Sequence, residues 1–199
     1  MIMLIGIAIT GMPGAGKSTL ANAAKKLGIP VVSMGEIIFQ ETKKRGLSLT
    51  PENVGKVATE LRKTFGDDIV AKLTIEHIRE KILPQSPSSE KIFIAIDGVR
   101  SLAEINTFKK FFDRLIVIAV HAPPEIRYKR LLNRKRLDDP SEVEKLIKRD
   151  LRELSFGLGD VIALADEILI NKDKSYNEFF NECIEFLKRL LKEENANCR

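Results

Sequence analysis

Residues Gly11-Met12-Pro13-Gly14-Ala15-Gly16-Lys17-Ser18 match the pattern G-x-x-x-x-G-K-[ST], and their flanks fix what this stretch can be. An apolar run from Met3 to Ile9 leads into it, and an amphipathic stretch carrying Leu20, Ala24 and Leu27 follows. Strand, glycine-rich loop and helix in that order form a cradle whose backbone N–H groups curl around a polyphosphate. At Gly11 and Gly16 a Cβ would clash or forbid the turn. The helix starting near Lys17 aims its free N–H groups and positive dipole end at the same anion. Gly11 to Ser18, with Thr19 behind them, are therefore the candidate phosphate site. Lys17 is the mobile charge for the β- and γ-phosphates, and Ser18 offers a hydroxyl to Mg²⁺.

The rest of the chain suits one α/β domain over residues 1–199. No apolar run approaches the roughly 20 residues of a membrane span, and the N-terminal run is a short core strand rather than a signal peptide, so a cytoplasmic protein is expected. The net charge of +5 suits a phosphate-rich ligand. Nucleic acid is a weaker expectation, because no basic stretch is interleaved with aromatic residues. Cys183 and Cys198 make neither a disulfide framework nor a metal-ligand spacing, and Cys183 reads as a small core residue. His77 and His121 lack partners at metal spacing and read as structural.

Taken in order, Pro30-Val31-Val32 reads as a second strand, and Ser33 to Glu36 as a capping box opening a helix that ends near Gly46. Thr50-Pro51 opens another, whose apolar face runs through Val54, Val57, Ala58, Leu61 and Phe65. A third starts at Asp67 or Asp68 and continues to about Leu83. Three helices exceed what a crossover needs, so residues 34–83 read as a helical insertion able to close over an acceptor. Ile92 to Ile96 is a buried strand, a helix spans Ser101 to Phe112, and Leu115 to Val120 is a further strand. Helices carrying Arg127, Arg130, Arg134 and Arg136, then Arg149 and Arg152, flank the Asp138-Asp139-Pro140 break, and residues 127–152 read as a lid region. Glu167 to Ile170 is the last strand, and Ser175 with Glu178 forms a second capping box. The expected fold is a five-stranded parallel sheet flanked by helices.

Asp97 stands at the carboxyl end of an apolar strand, where open α/β sheets place their ligands and where a carboxylate can hold Mg²⁺; capping the following helix is the alternative. Gly98 rather than glutamate follows it, which favours phosphoryl transfer over hydrolysis. Arg127, Arg130 and Arg134 share a face, and Arg149 and Arg152 repeat the spacing. Guanidinium groups on a flap neutralise a moving phosphoryl group, and a solvated basic face with acidic partners such as Glu125 and Asp150 is the alternative. Arg100 lies within reach of a substrate phosphate from the loop after Asp97. Arg62 either contacts the acceptor from the insertion or lies on the surface.

With these residues in view, the chain resembles the P-loop kinases of nucleotides and related metabolites, both adenylate-kinase-like and dephospho-CoA-kinase-like. Within that group it most resembles an uncharacterised, mostly archaeal family related to both. The resemblance covers nearly the whole length, through Gly11 to Ser18, Ser33 to Glu36, Thr50 to Lys56, Asp97 to Ser101, Arg130 to Arg134, and Ala165-Asp166 followed by Ile170-Asn171. It implies a nucleoside-monophosphate-kinase-like fold with ATP·Mg²⁺ in the loop, Asn171 beside the nucleotide, an acceptor near Gly35 under the insertion, and a short arginine-bearing lid. The activity implied is phosphoryl transfer to a nucleoside monophosphate, AMP first, or to a nucleotide-like metabolite. Dephospho-CoA kinase-type activity is the alternative, and a nucleotide-binding regulatory protein or slow ATPase the alternative of another class. Phe39 stands where adenylate kinases carry an acceptor-phosphate arginine, and Lys174 replaces the aspartate of the guanine-reading N-K-x-D.

Overall fold

The structure, a computed structural model, describes residues 2–86, 90–134 and 142–196. Five strands form one parallel sheet: β1 (Met3–Thr10), β2 (Val31–Ser33), β3 (Lys91–Asp97), β4 (Arg114–His121) and β5 (Glu167–Ile170), in the order β2-β3-β1-β4-β5. β1 and β3 are near-continuous apolar runs because both of their faces are covered. Ile5, Ile7 and Ile9 pack on one side against α1 (Lys17–Lys26) and α9 (Tyr176–Ala196). Ala8, with Ile92, Ile94 and Ile96 of β3, packs on the other side against the helices of the insertion and α5 (Leu102–Phe111). Buried Cys183 belongs to the first of these layers.

Strand register assembles the site edge. Ile9 pairs with Asp97, and Ser33 pairs with the same Asp97, so the loops after β1, β2 and β3 leave the sheet together.

The insertion between β2 and β3 holds α2 (Met34–Lys44), α3 (Pro51–Phe65) and α4 (Ile69–His77). Ser33 Oγ accepts from Glu36 N–H at 3.4 Å, and Thr50 Oγ1 from Asn53 N–H at 3.2 Å with Pro51 in the first turn, so the local cap chemistry sets both starts. The third helix does not run unbroken to Leu83. It ends at His77 and loosens into a wide turn, Ile78–Ile82, then a tight one, Leu83–Gln85. Pro84 has no N–H to give and its ring would meet the carbonyl of Glu80, so regular α-helical bonding cannot pass it. Phe65, expected on the buried face of α3, is 58% exposed at the last residue before Gly66, where the apolar stripe has passed Leu61 and left the core.

Beyond β4 come α6 (Pro124–Arg134), α7 (Val143–Ser155) and α8 (Leu158–Ala163), the last a short helix that the sequence pattern did not announce. Arg136, the Asp138-Asp139-Pro140 break and Cys198 lie outside the described residues. Among the described residues no helix is long and apolar enough to cross a membrane.

Candidate functional site

The glycine loop is held in shape by contacts that leave no room for side chains. Gly11 has φ 138° and an added Cβ would lie 2.2 Å from the Val120 carbonyl oxygen; Gly16 has φ 114° and its Cβ would lie 2.3 Å from Asn171 Nδ2. Positive φ and close approach both demand glycine at these positions. Gly16 is also the N-cap of α1, and no described side chain caps that helix, so its first N–H groups face the loop.

Three side chains tie the loop in place. Asn171 Nδ2 donates to the Ala15 carbonyl at 2.9 Å. Arg130 donates to Asn171 Oδ1 at 3.1 Å and to the Asn171 carbonyl at 3.2 Å. Arg127, 3% exposed, donates to the Pro13 carbonyl at 3.0 Å and makes a two-point pair with Asp150, its Nη atoms 3.0 and 2.6 Å from the carboxylate oxygens. Tyr128 Oη donates to the same carboxylate at 2.9 Å. Arg127 is therefore neither on a solvated face nor on the cavity wall; it braces the loop.

On the front of the loop, Lys17 Nζ donates to the carbonyls of Gly11 at 2.8 Å and Met12 at 3.2 Å. Burial pushes its ammonium down to about 8, against the opposing pull of Asp97. Lys17 opens onto a cavity of about 1160 Å³. Its walls include Gly11, Pro13, Gly14, Gly16, Ser18, Thr19 and Asp97 at the loop end, with Gly35, Phe39 and Val54 at the insertion end. Arg100, Arg130, Arg134, Arg149 and Arg152 also reach this cavity. Met12 and Ala15 contribute through their backbone, accepting from Lys17 and Asn171 respectively.

Asp97 does not cap the next helix: Ser101 does, accepting from Glu104 N–H at 3.2 Å. Asp97 Oδ1 is instead buried without a hydrogen-bond partner among the described residues. An unsatisfied carboxylate oxygen on a residue that lines the same cavity as Ser18 offers oxygen donors of the kind that suit Mg²⁺, which keeps waters and phosphate oxygens for its remaining positions. No group of three or more His, Cys, Asp or Glu able to hold a metal occurs among the described residues, so protein alone would supply only part of such a shell.

The expectation for Arg62 is corrected. It is 5% exposed and absent from the cavity wall; its Nη2 donates to Glu104 at 2.9 Å and its guanidinium lies 4.5 Å from the Phe156 ring centre. A buried guanidinium needs a counter-charge, and α5 provides one. Fully buried Glu104 also accepts from the Arg100 N–H at 2.7 Å, which fixes the backbone of Arg100. The side chain of Arg100 is held by Glu153 of α7, Nε to Oε2 at 2.6 Å, and Arg152 Nη2 lies 3.4 Å from the other oxygen. Burial would raise the Glu153 carboxyl, yet Arg100, Arg152, Arg149 and Lys17 hold it below the ordinary carboxylate range. Glu104, Asp150 and Glu153 were not singled out from the sequence as site-building carboxylates; a glutamate or aspartate within a charged helix carries no local mark of burial.

A profile described as the AAA domain matches residues 10–148. The UPF0200 protein MJ1399 of Methanocaldococcus jannaschii is 44% identical over 190 residues, which is 96% of this chain and 91% of the relative. The chain belongs to the UPF0200 family. Its fold, a five-stranded parallel sheet flanked by helices, is shared by TT1252 from Thermus thermophilus, which superposes with a TM-score of 0.56 at 18% identity, covering 100% of this UPF0200 chain and 98% of that one. Shikimate kinase from Bacteroides thetaiotaomicron gives a TM-score of 0.56 at 16% identity over 94% and 98% of the two chains.

Proposed function

We propose that the protein moves the γ-phosphoryl group of ATP·Mg to a nucleoside monophosphate, AMP first, or to a nucleotide-like metabolite. The observation that carries this reading is that one cavity of about 1160 Å³ is lined by Lys17, Asp97 and the five arginines Arg100, Arg130, Arg134, Arg149 and Arg152. Pockets for one small ligand run from roughly 300 to 1,000 Å³, so this one lies just above that range.

The loop amides and Lys17 bind the β- and γ-phosphates, and Ser18 and Asp97 are the residues suited to hold Mg²⁺. The metal, when bound, neutralises charge shared between those phosphates. Arg100 and Arg152 face the acceptor, while Arg130, Arg134 and Arg149 offset charge on the group in transit. The acceptor oxygen forms a bond to the γ-phosphorus as the bond to the β–γ bridging oxygen breaks, and ADP leaves. A phosphate acceptor brings no proton to remove, so positioning and charge suffice without a covalent intermediate.

A second reading, phosphorylation of a sugar hydroxyl as in dephospho-CoA kinases, is favoured by Glu36, whose place in the cavity wall offers a carboxylate to take the hydroxyl proton. The test is incubation with ATP and Mg²⁺ plus each of AMP, other monophosphates and dephospho-CoA, with Lys17→Ala as control. Acceptor-dependent ADP formation that Lys17→Ala abolishes is the expected result. ADP release indifferent to acceptor, or tight ATP binding without turnover, overturns the kinase reading in favour of a slow ATPase or nucleotide-binding regulator.

A further inference from the structure

Arg100 is held at both ends by buried carboxylates from different helices. Glu104 of α5 accepts from its backbone N–H at 2.7 Å, and Glu153 of α7 accepts from its side-chain Nε at 2.6 Å. Arg100 also lines the cavity, and its closest approach to Glu153 is through Nε rather than a terminal nitrogen. Arg152 stands on the other oxygen of Glu153, with Nη1 lying against α3 at Gly55, where an added Cβ would be 2.2 Å away. Arg152 Nε is buried with no partner among the described residues, a donor still to be satisfied on a residue that lines the cavity.

We propose that Glu153 is a positioning residue: it spaces Arg100 and Arg152 as two arms of a fork that receives an anionic phosphate of the acceptor. This role rests on the kinase reading for its purpose, and it narrows the acceptor to a molecule that already carries a phosphate. The geometry separates positioning from the rival idea that Glu153 merely competes with the anion. A competitor would sit closely on the terminal nitrogens of both arginines, whereas Glu153 approaches Arg100 most closely at Nε, 2.6 Å, and meets a terminal nitrogen of Arg152 only at 3.4 Å. Electrostatics points the same way. Lys17, Arg100, Arg149 and Arg152 share this neighbourhood, and without Glu153 their mutual repulsion would drive flexible arginine side chains apart.

The test follows the Arg100 Nε–Hε resonance by ¹⁵N NMR in the full chain, assigned by its loss in Arg100→Lys, while inorganic phosphate is titrated with ADP saturating the glycine loop. Wild type is expected to respond saturably. Glu153→Gln keeps the shape and loses the charge; it is expected to weaken phosphate binding at this resonance at least tenfold and ADP binding less than threefold, with Glu153→Asp recovering part of the loss. No response in wild type, or equal or tighter phosphate binding in Glu153→Gln, overturns the role. Should Glu153→Gln fail to fold, Arg100→Lys serves instead, because lysine keeps the charge but cannot engage Glu153 and phosphate from separate edges. Calorimetry is then expected to show the same tenfold loss of phosphate affinity, and an unchanged affinity overturns the proposal equally. The kinase reading fails by a different route, through missing acceptor-dependent ADP formation in wild type, which these titrations do not measure.

Discussion

Asn171 and Ala15 are joined by a buried 2.9 Å hydrogen bond between side-chain Nδ2 and backbone carbonyl, which fastens the end of β5 to the middle of the glycine loop. Arg130 completes the clasp by donating to Asn171 Oδ1. The chain thus uses its last strand to hold open a loop formed by its first. Asn171→Ala leaves the Ala15 carbonyl with only a 3.5 Å contact from Arg130 and removes one acceptor from that guanidinium, a loss of about 1–3 kcal/mol. Urea unfolding should show that loss together with weaker ADP binding in calorimetry. Full stability with unchanged ADP affinity would mean that the loop holds its shape unaided.

Arg127 and Asp150 set a second, more severe expectation. Both are buried, and the arginine reaches past its partner to the Pro13 carbonyl. Asp150→Ala strands a guanidinium in the interior at a cost of about 3–5 kcal/mol, whereas replacing the pair with apolar residues of similar volume is often close to neutral. Asp150→Ala is therefore expected to unfold at much lower denaturant than Arg127→Met/Asp150→Leu. If single and double variants lose the same stability, the ion pair is not what braces the loop.

What the sequence disclosed and what it withheld divide along chain distance. The glycine loop, the strand-end Asp97 and the Ser175/Glu178 cap depend on neighbours a few residues away, and the reciprocal cap is present, Ser175 N–H to Glu178 and Glu178 N–H to Ser175. Parallel strands were legible as apolar runs because burial on both faces removes alternation. Arg62 misled because an arginine within an amphipathic helix reads as surface; its partner Glu104 lies 42 residues on, and only the tertiary fold brings them together. The same holds for Arg100 with Glu153, and for Gly55 with Arg152: each half is ordinary in its own segment, and the pair exists only in three dimensions.

Gly55 makes that last case testable. A glycine inside α3 costs helix stability, so Gly55→Ala should gain up to about 1 kcal/mol from propensity alone. The new Cβ would nonetheless fall 2.2 Å from Arg152 Nη1, the mobile end of a long side chain that yields more readily than backbone. The expected variant is as stable as wild type or more so, with Arg152 displaced and the acceptor KM raised several-fold at little change in ATP affinity. Thermal unfolding and steady-state kinetics separate these effects. A marked loss of stability would show that Arg152 cannot move, and an unchanged acceptor KM would remove Arg152 from the acceptor site.

On the proposed function, Lys17 is expected to give opposite pH dependences for stability and for nucleotide binding. Burial lowers its ammonium from 10.5 to about 8 despite the attraction of Asp97. Between those two values the unfolded chain holds a proton that the folded one has released, so this group makes stability rise with pH across that window; below about 8 both states are charged and the penalty is fully present. A polyphosphate requires the ammonium, so ADP affinity runs the other way. It should be level near neutrality and fall as pH passes about 8, toward a limit of about tenfold per pH unit. Lys17→Arg keeps its charge throughout and should flatten the profile, whatever it costs in absolute affinity. Calorimetric titrations of both proteins across this range decide the matter, for a wild-type profile as flat as that of Lys17→Arg would remove Lys17 from the phosphates.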